Sequence, residues 1–192
     1  MYSNVVVLGT SQVGKTVVIK NFVSEHNNFG IDVCMPEETY VKSLAINNEL
    51  IIVSISDTFP MMNNYNSVKD NYIKTCDGFV LMHSITSFGS FEAVKTLYDE
   101  IYEMRNLNFE THIPIVMCGN KSDLESDREV PTDEANRVAQ FLDIHFFETS
   151  AKSNTNIKEM FIGLLQDVQR NKTKQRNEKQ SSNKHTKGCK TQ

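Results

Sequence analysis

One stretch of the sequence, Gly9-Thr10-Ser11-Gln12-Val13-Gly14-Lys15-Thr16, has residue types and a spacing that suit one kind of chemistry. It reads G-x-x-x-x-G-K-T, between an apolar run at residues 5–8 and a helix-like run at residues 16–23. A loop that wraps phosphates must turn successive backbone N–H groups inward, and glycine lets the backbone approach closely and take unusual dihedrals. Gly9, Gln12, Val13 and Gly14 supply such backbone, Lys15 can reach the β- and γ-phosphates of a nucleotide, and Thr16 offers a hydroxyl to Mg²⁺. The helix that starts there points its positive dipole end at the same phosphates.

Two further groups follow apolar runs. Asn120-Lys121-Ser122-Asp123 closes the run at residues 113–118. A carboxylate there can accept two N–H bonds from the edge of guanine, a donor pair that adenine lacks, and a carboxylate left without donors would disfavour the wrong base. By itself N-K-x-D is a weak pattern whose plain alternative is a surface turn, and its place about ninety residues after a phosphate loop strengthens it. Ser150-Ala151-Lys152 follows the run at residues 144–147. Its backbone can offer an N–H to the guanine O6 and Lys152 can pack over the base; alone it reads as an ordinary loop before a helix.

The elements that must hold these groups alternate along the chain. Strands are expected at residues 5–8, 40–46, 50–56, 79–83, 113–118 and 144–147, the second and third joined by Asn47-Asn48 as a tight antiparallel turn. Helices are expected after the phosphate loop, from Tyr65 through Ile73, around Phe91–Ile101, from a Thr132 cap, and from Ile157 through Val168. Such alternation predicts an α/β fold: a doubly wound, mostly parallel six-stranded sheet of the P-loop NTPase kind with one antiparallel hairpin. In such sheets ligands sit outside the carboxyl ends of the strands, where every motif above falls.

Composition narrows the partners. From Arg170 onward eight Lys/Arg stand against one Glu, a net of +7, so the remainder carries −11 of the overall −4. An acidic body with a basic tail excludes a nucleic-acid-binding domain and suits a body held near an anionic membrane. No apolar run approaches the length of a membrane span, and no secretory signal is expected. The four cysteines have no metal-ligand spacing and read as free thiols. The histidines, His83 among them, form no ligand or triad pattern.

The three motifs, in this order and spacing, resemble the small GTPases of the Ras superfamily, and the segments Asp70–Phe79 and Glu148–Lys152 look most like the Ras family proper. The resemblance covers about residues 3–170 and implies GTP or GDP with Mg²⁺ as ligand and GTP hydrolysis as the reaction. It implies Gly9, Gln12, Val13, Gly14, Lys15 and Thr16 for the phosphates, Thr16 and Asp57 for the metal, and Phe29, Asn120, Lys121, Asp123, Ser150, Ala151 and Lys152 for the base. Glu37, Glu38, Thr39 and Tyr40 stand in the effector region. Effectors and exchange factors are the implied partners of a monomer, and residues 1–170 the implied G domain.

The departures are as specific. After its acidic metal residue the family carries x-x-Gly-Gln, where the Gln orients the attacking water. Here the chain runs Asp57-Thr58-Phe59-Pro60-Met61-Met62-Asn63-Asn64. It has neither Gly nor Gln, and Pro60 has no N–H to offer. No threonine stands between Thr16 and Thr39, so Thr39 either begins a strand or serves a shifted loop. Ser11 and Gln12 stand where most of the family carries glycine. The catalytic residue is therefore unassigned and hydrolysis is expected to be slow.

Residues 171–192 are expected to be a disordered basic tail ending in Cys189-Lys190-Thr191-Gln192, a C-a-a-X-like end whose Gln favours farnesyl; the alternative is a lone cysteine. Lipid and basic charge together would place the protein on the cytoplasmic side of the cell membrane. The leading reading is a slow Ras-type GTPase in signalling. A nucleotide-bound adaptor that does not hydrolyse, and an ATP-using P-loop kinase disfavoured by Asp123, are the competing classes.

Overall fold

A computed structural model describes residues 1–24, 39–58 and 65–187. Its strands are β1 (Tyr2–Leu8), β2 (Thr39–Ile46), β3 (Glu49–Asp57), β4 (Gly78–Ser84), β5 (Ile115–Asn120) and β6 (His145–Glu148). Its helices are α1 (Lys15–Ser24), α2 (Tyr65–Thr75), α3 (Phe88–Met104), α4 (Thr132–Phe141) and α5 (Ile157–Lys187). The strands form one six-stranded sheet in the order β2-β3-β1-β4-β5-β6, parallel except for β2 against β3. The α/β, doubly wound architecture expected from the alternation of motifs is the one observed.

The apolar runs become central strands because both faces of the sheet are covered. Val5 and Val7 of β1 face a layer that includes Ile19, Phe22, Phe161 and Leu164 of α1 and α5, while Val6 and Leu8 face Ile73, Val94 and Ala135 of α2, α3 and α4. All four β1 side chains are fully buried. At about 1.5–3 kcal/mol per buried aliphatic side chain, this double burial holds the strand that carries the phosphate loop. Phe22 stacks on Phe161 with ring centroids 4.3 Å apart, which locks α1 to α5. The buried Lys42 reaches from β2 to donate to the Phe22 carbonyl and lies 4.5 Å over its ring, closing the last turn of α1.

The β2–β3 turn is made by Asn47 and Asn48 at φ 51° and 63°, the left-handed pair that a two-residue hairpin needs. Registers set the functional rim. Val7 lies beside Asp57, Leu8 beside Leu81, and Ser84 beside Asn120. The ends of β1, β3, β4, β5 and β6 thus meet at one side.

Two expectations are revised. Thr132 does not cap α4 but is its first residue, after Pro131 at φ −63°; its hydroxyl donates instead to Glu148, 2.9 Å away. Pro131, as the N-cap, has no side-chain acceptor, and its carbonyl accepts the Glu134 and Ala135 N–H groups at 3.0 and 3.1 Å. The chain past residue 170, expected to be disordered, continues α5 to Lys187. The stretch has no proline or glycine before Gly188, and a packed helix needs only propagation, not a new nucleus. Lys172 anchors its start by donating to the Tyr2 carbonyl at 2.9 Å and to Asp77 at 2.6 Å.

Candidate nucleotide-binding site

The loop between β1 and α1 is shaped by its glycines. A Cβ on Gly9 would overlap the Met82 carbonyl oxygen, and one on Gly14, whose φ is 98°, would overlap the Asn120 side-chain amide. Close approach of neighbouring strands, not the loop alone, therefore requires glycine at both places. Gln12 takes φ 64° without being glycine, and it and Ser11 are exposed at the loop's apex. The Lys15 ammonium, buried, bends back across the loop and donates to the carbonyls of Gly9 at 2.9 Å and Thr10 at 2.8 Å. The Lys15 positive charge is thus held within the loop itself, where a chain of phosphates would need it.

Beside it, the Thr16 hydroxyl donates to Oδ2 of Asp57. Asp57 is buried, and its other oxygen, Oδ1, has no hydrogen-bond partner among the described residues. Burial pushes the Asp57 carboxyl above the usual carboxylate range, opposed by the Thr16 hydroxyl and by the charges of Lys15 and Lys20. A buried carboxylate with an unused acceptor, next to a hydroxyl, is a donor set for a hard divalent cation such as Mg²⁺. Thr16 and Asp57 fit such an ion and would hold it. The next residue, Thr58, donates to the Val7 carbonyl at 2.7 Å and pins the end of β3 to β1.

The second corner lies at the ends of β5 and β6. Asn120 is buried and links everything around it. Its Nδ2 donates to the Val13 carbonyl of the phosphate loop at 2.8 Å, and its Oδ1 accepts from the Thr149 hydroxyl at 3.2 Å. Lys121 takes φ 69°, which turns the chain so that the Ser122 N–H bonds the Thr149 carbonyl at 3.0 Å. Asp123, exposed, accepts from the Ser150 hydroxyl at 2.6 Å, which leaves its outer face open. The Ser150 hydroxyl also accepts from the Ser153 N–H at 3.1 Å, so Ser150 orders both the carboxylate and its own loop. Ala151 is tied to α1 by Asn21, whose amide donates to its carbonyl. Lys152 is exposed on the same loop. The structure thus brings Gly9, Gln12, Val13, Gly14, Lys15, Thr16, Asp57, Asn120, Lys121, Asp123, Ser150, Ala151 and Lys152 to one rim.

Several residues of this rim escape sequence reasoning. Thr149 and Asn21 act through hydrogen bonds across 29 and 130 residues, which no local pattern announces. Arg128 holds Glu148, the residue at the end of β6, by two bonds of 2.7 and 3.1 Å, and grips Glu125 as well. These carboxylates hold the guanidinium charged well above its ordinary pKa. Thr39 begins β2 opposite Ser56, as a strand residue, and Tyr40 after it is half-buried against the core under α1. Phe29, Glu37, Glu38, residues 59–64 and Cys189 lie outside the described residues.

The geometry can hold phosphates, one hard cation and one planar base side by side. Comparisons agree with that arrangement. A family model described as the Ras family matches residues 4–170. The chain is 35% identical over 184 residues to a Ras-like protein 2 of Mucor circinelloides f. lusitanicus, across 93% of this chain and 90% of the relative. It is 35% identical over 164 residues to the Ras-like protein rasZ of Dictyostelium discoideum, across 85% of this chain and 74% of the relative. To a Ras-like protein 1 of Saccharomyces cerevisiae it is 33% identical, over 52% of that protein.

Proposed function

The chain belongs to the Ras family, and from that premise we propose that it binds GTP and GDP with Mg²⁺, hydrolyses GTP slowly to GDP and phosphate, and acts in signalling. The observation that supports this best is the side chain of Asn120, which bonds the phosphate loop at Val13 and the base corner at Thr149. The two corners are therefore joined through one side chain into a single surface that offers contacts to both phosphate and base.

The roles follow from the chemistry. The N–H groups of residues 12–16 and the Lys15 ammonium hold the β- and γ-phosphates. In hydrolysis they stabilise charge that gathers on the oxygen leaving with GDP. Thr16 and Asp57 hold Mg²⁺, which when bound neutralises phosphate charge. Asp123 accepts the paired N–H donors of guanine. Asn120, Lys121, Ser150, Ala151, Lys152 and Phe29 frame the base.

The slow rate rests on the sequence after Asp57. Gly and Gln are missing there, Pro60 and Met61 stand in their place, and only Asn63 or Asn64 offers a substitute for the water-orienting side chain of the family. The same substitutions support a second reading: an adaptor in which nucleotide is kept and Glu37, Glu38, Thr39 and Tyr40 meet a protein partner. Single-turnover decay of bound GTP separates the two. The slow GTPase loses its γ-phosphate measurably over hours, with little gain from a Ras-type activating protein because Ser11 crowds an incoming arginine. The adaptor returns intact GTP, and a rate typical of the family rejects both.

The basic stretch beginning at Arg170, with Cys189, supports attachment to the cytoplasmic face of the cell membrane. Each cation near an anionic leaflet is worth about 1 kcal/mol. Membrane recovery should fall in Cys189→Ser and in a chain with its terminal lysines neutralised; unchanged recovery in both removes the anchor.

A further inference from the structure

Near the end of β4 lies a group for which the proposed chemistry has no use. His83 is fully buried, and neither ring nitrogen has a hydrogen-bond partner among the described residues. Its ring stacks on Phe146 of β6 at 6.1 Å between centroids and 12° between planes, and meets Phe91 of α3 edge-on at 5.1 Å. Its strand neighbour on β5 is Gly119, the residue before Asn120. A Cβ on Gly119 would stand 3.1 Å from the His83 Nε2, so the imidazole fills the space a side chain would take over that stretch of backbone.

The same backbone carries the base corner. The Gly119 carbonyl accepts the Thr149 N–H at 2.9 Å, and Thr149 in turn donates to Asn120. Movement at Gly119 therefore reaches the side chain that joins the phosphate and base corners. The ring is tolerated as a neutral aromatic. Once protonated it would carry two N–H donors without acceptors and a charge without water, both costly in an apolar interior. The charged groups that act on it are Glu148 on β6 and Arg128 in the segment before α4, and α3 meets it with the Phe91 ring. Glu148 is already occupied by Arg128 and Thr132, so it is not free to receive the imidazolium.

We propose that His83 is a proton-responsive positioning residue for the guanine site: taking up a proton unseats Gly119 and Asn120 and releases the nucleotide. Burial holds the imidazole down to about 4 in the closed protein, against an ordinary 6.5 when the site opens. A histidine whose pKa is lowered by folding binds fewer protons closed than open. Closure is therefore fully favoured above about pH 6.5 and loses ground as pH falls toward 4. Between pH 7.5 and 5.5 the opened state gains about tenfold in population.

The inference rests on the guanine-nucleotide reading, and its experiment separates the two. Dissociation of fluorescent GDP from the full-length Mg²⁺ complex is followed at pH 7.5 and 5.5 for the wild type, His83→Phe and His83→Gln, with thermal melts of the same samples. The wild type should release GDP about tenfold faster at pH 5.5, and either variant that folds less than about twofold faster. A wild type with no acceleration, or variants that keep the wild-type acceleration, overturns the proposal. So does a wild type whose melting temperature falls with pH while GDP release stays constant, because His83 would then serve stability alone. A chain that binds GDP at neither pH defeats the nucleotide reading, and this inference with it.

Discussion

Two aspartates stand on one rim in opposite surroundings. Asp57 is buried, with one oxygen bonded to Thr16 and the other without a partner among the described residues, and burial raises its pKa. Asp123 is exposed, with the Ser150 hydroxyl on one oxygen. The first carboxylate costs the free protein stability whenever it is ionised, and a cation beside it removes that cost. The second is solvated in the free protein and becomes selective only when a base covers it and its acceptors must be matched. In the proposed function the phosphate corner fixes charge and the base corner reads paired hydrogen-bond donors. Asn120, bonded to both, keeps them in register.

The largest effect expected is at the phosphate corner. Lys15→Ala removes charge-assisted hydrogen bonds worth about 1.5–3 kcal/mol each, and should weaken GTP, GDP and xanthosine nucleotides alike by about 100-fold or more. Calorimetric titration with each nucleotide checks this. A loss confined to guanine nucleotides would mean that the corners do not divide the work as described.

Asp123→Asn should do the reverse. The amide can donate where the carboxylate accepted, so preference should move from guanine toward xanthine by about 10- to 100-fold while total phosphate affinity changes little. Competition between GDP and xanthosine diphosphate measures it, and an unchanged ratio would detach Asp123 from the base.

Thr149→Val is a smaller and more revealing change. It removes one buried hydroxyl that bonds Asn120 and contacts Cys118 at 3.2 Å. About 1 kcal/mol, near fivefold in affinity, should be lost for every guanine nucleotide, because the bridge between the corners loosens. A shift in base preference without that general loss would locate Thr149 in the base corner alone.

Asp57→Asn tests the cost of the buried charge with no ligand added. A carboxyl whose folded pKa lies above its unfolded value binds more protons when folded. Its contribution therefore turns against the folded state as pH rises from the ordinary 3.8 through the raised value. The nucleotide-free variant should be at least as stable as the wild type at neutral pH, by chemical denaturation, while losing the effect of Mg²⁺ on nucleotide affinity. A variant less stable than the wild type would contradict the burial argument.

Much of this was legible before any coordinates. The apolar runs place all six strands within a few residues: the central β1, β4 and β5, buried on both faces, are continuously apolar, and the edge strand β2 shows as alternation. Gly9, Lys15, Thr16, Asn120 and Asp123 stand out because their chemistry ties them to short, fixed spacings, whereas Asp57 comes only from the family resemblance. Thr149, Asn21 and Arg128 do not stand out, since their partners are distant in sequence and any polar residue on a strand end or helix face looks the same. His83 is illegible for a related reason: within the run at residues 79–83 it reads as one polar interruption, and only packing reveals that both nitrogens lack partners among the described residues. The continuation of α5 is hidden because composition reports the cost of starting a helix, not of extending one already packed.

The central claim is that a phosphate corner and a base corner form one Mg²⁺-dependent guanine-nucleotide site. The most direct test is displacement of fluorescent GDP by unlabelled GDP and ADP, with Mg²⁺ and then with a chelator. The account predicts that GDP displaces the probe, that ADP does not, and that chelation weakens retention of GDP. Equal displacement by ADP, or retention indifferent to Mg²⁺, would contradict it.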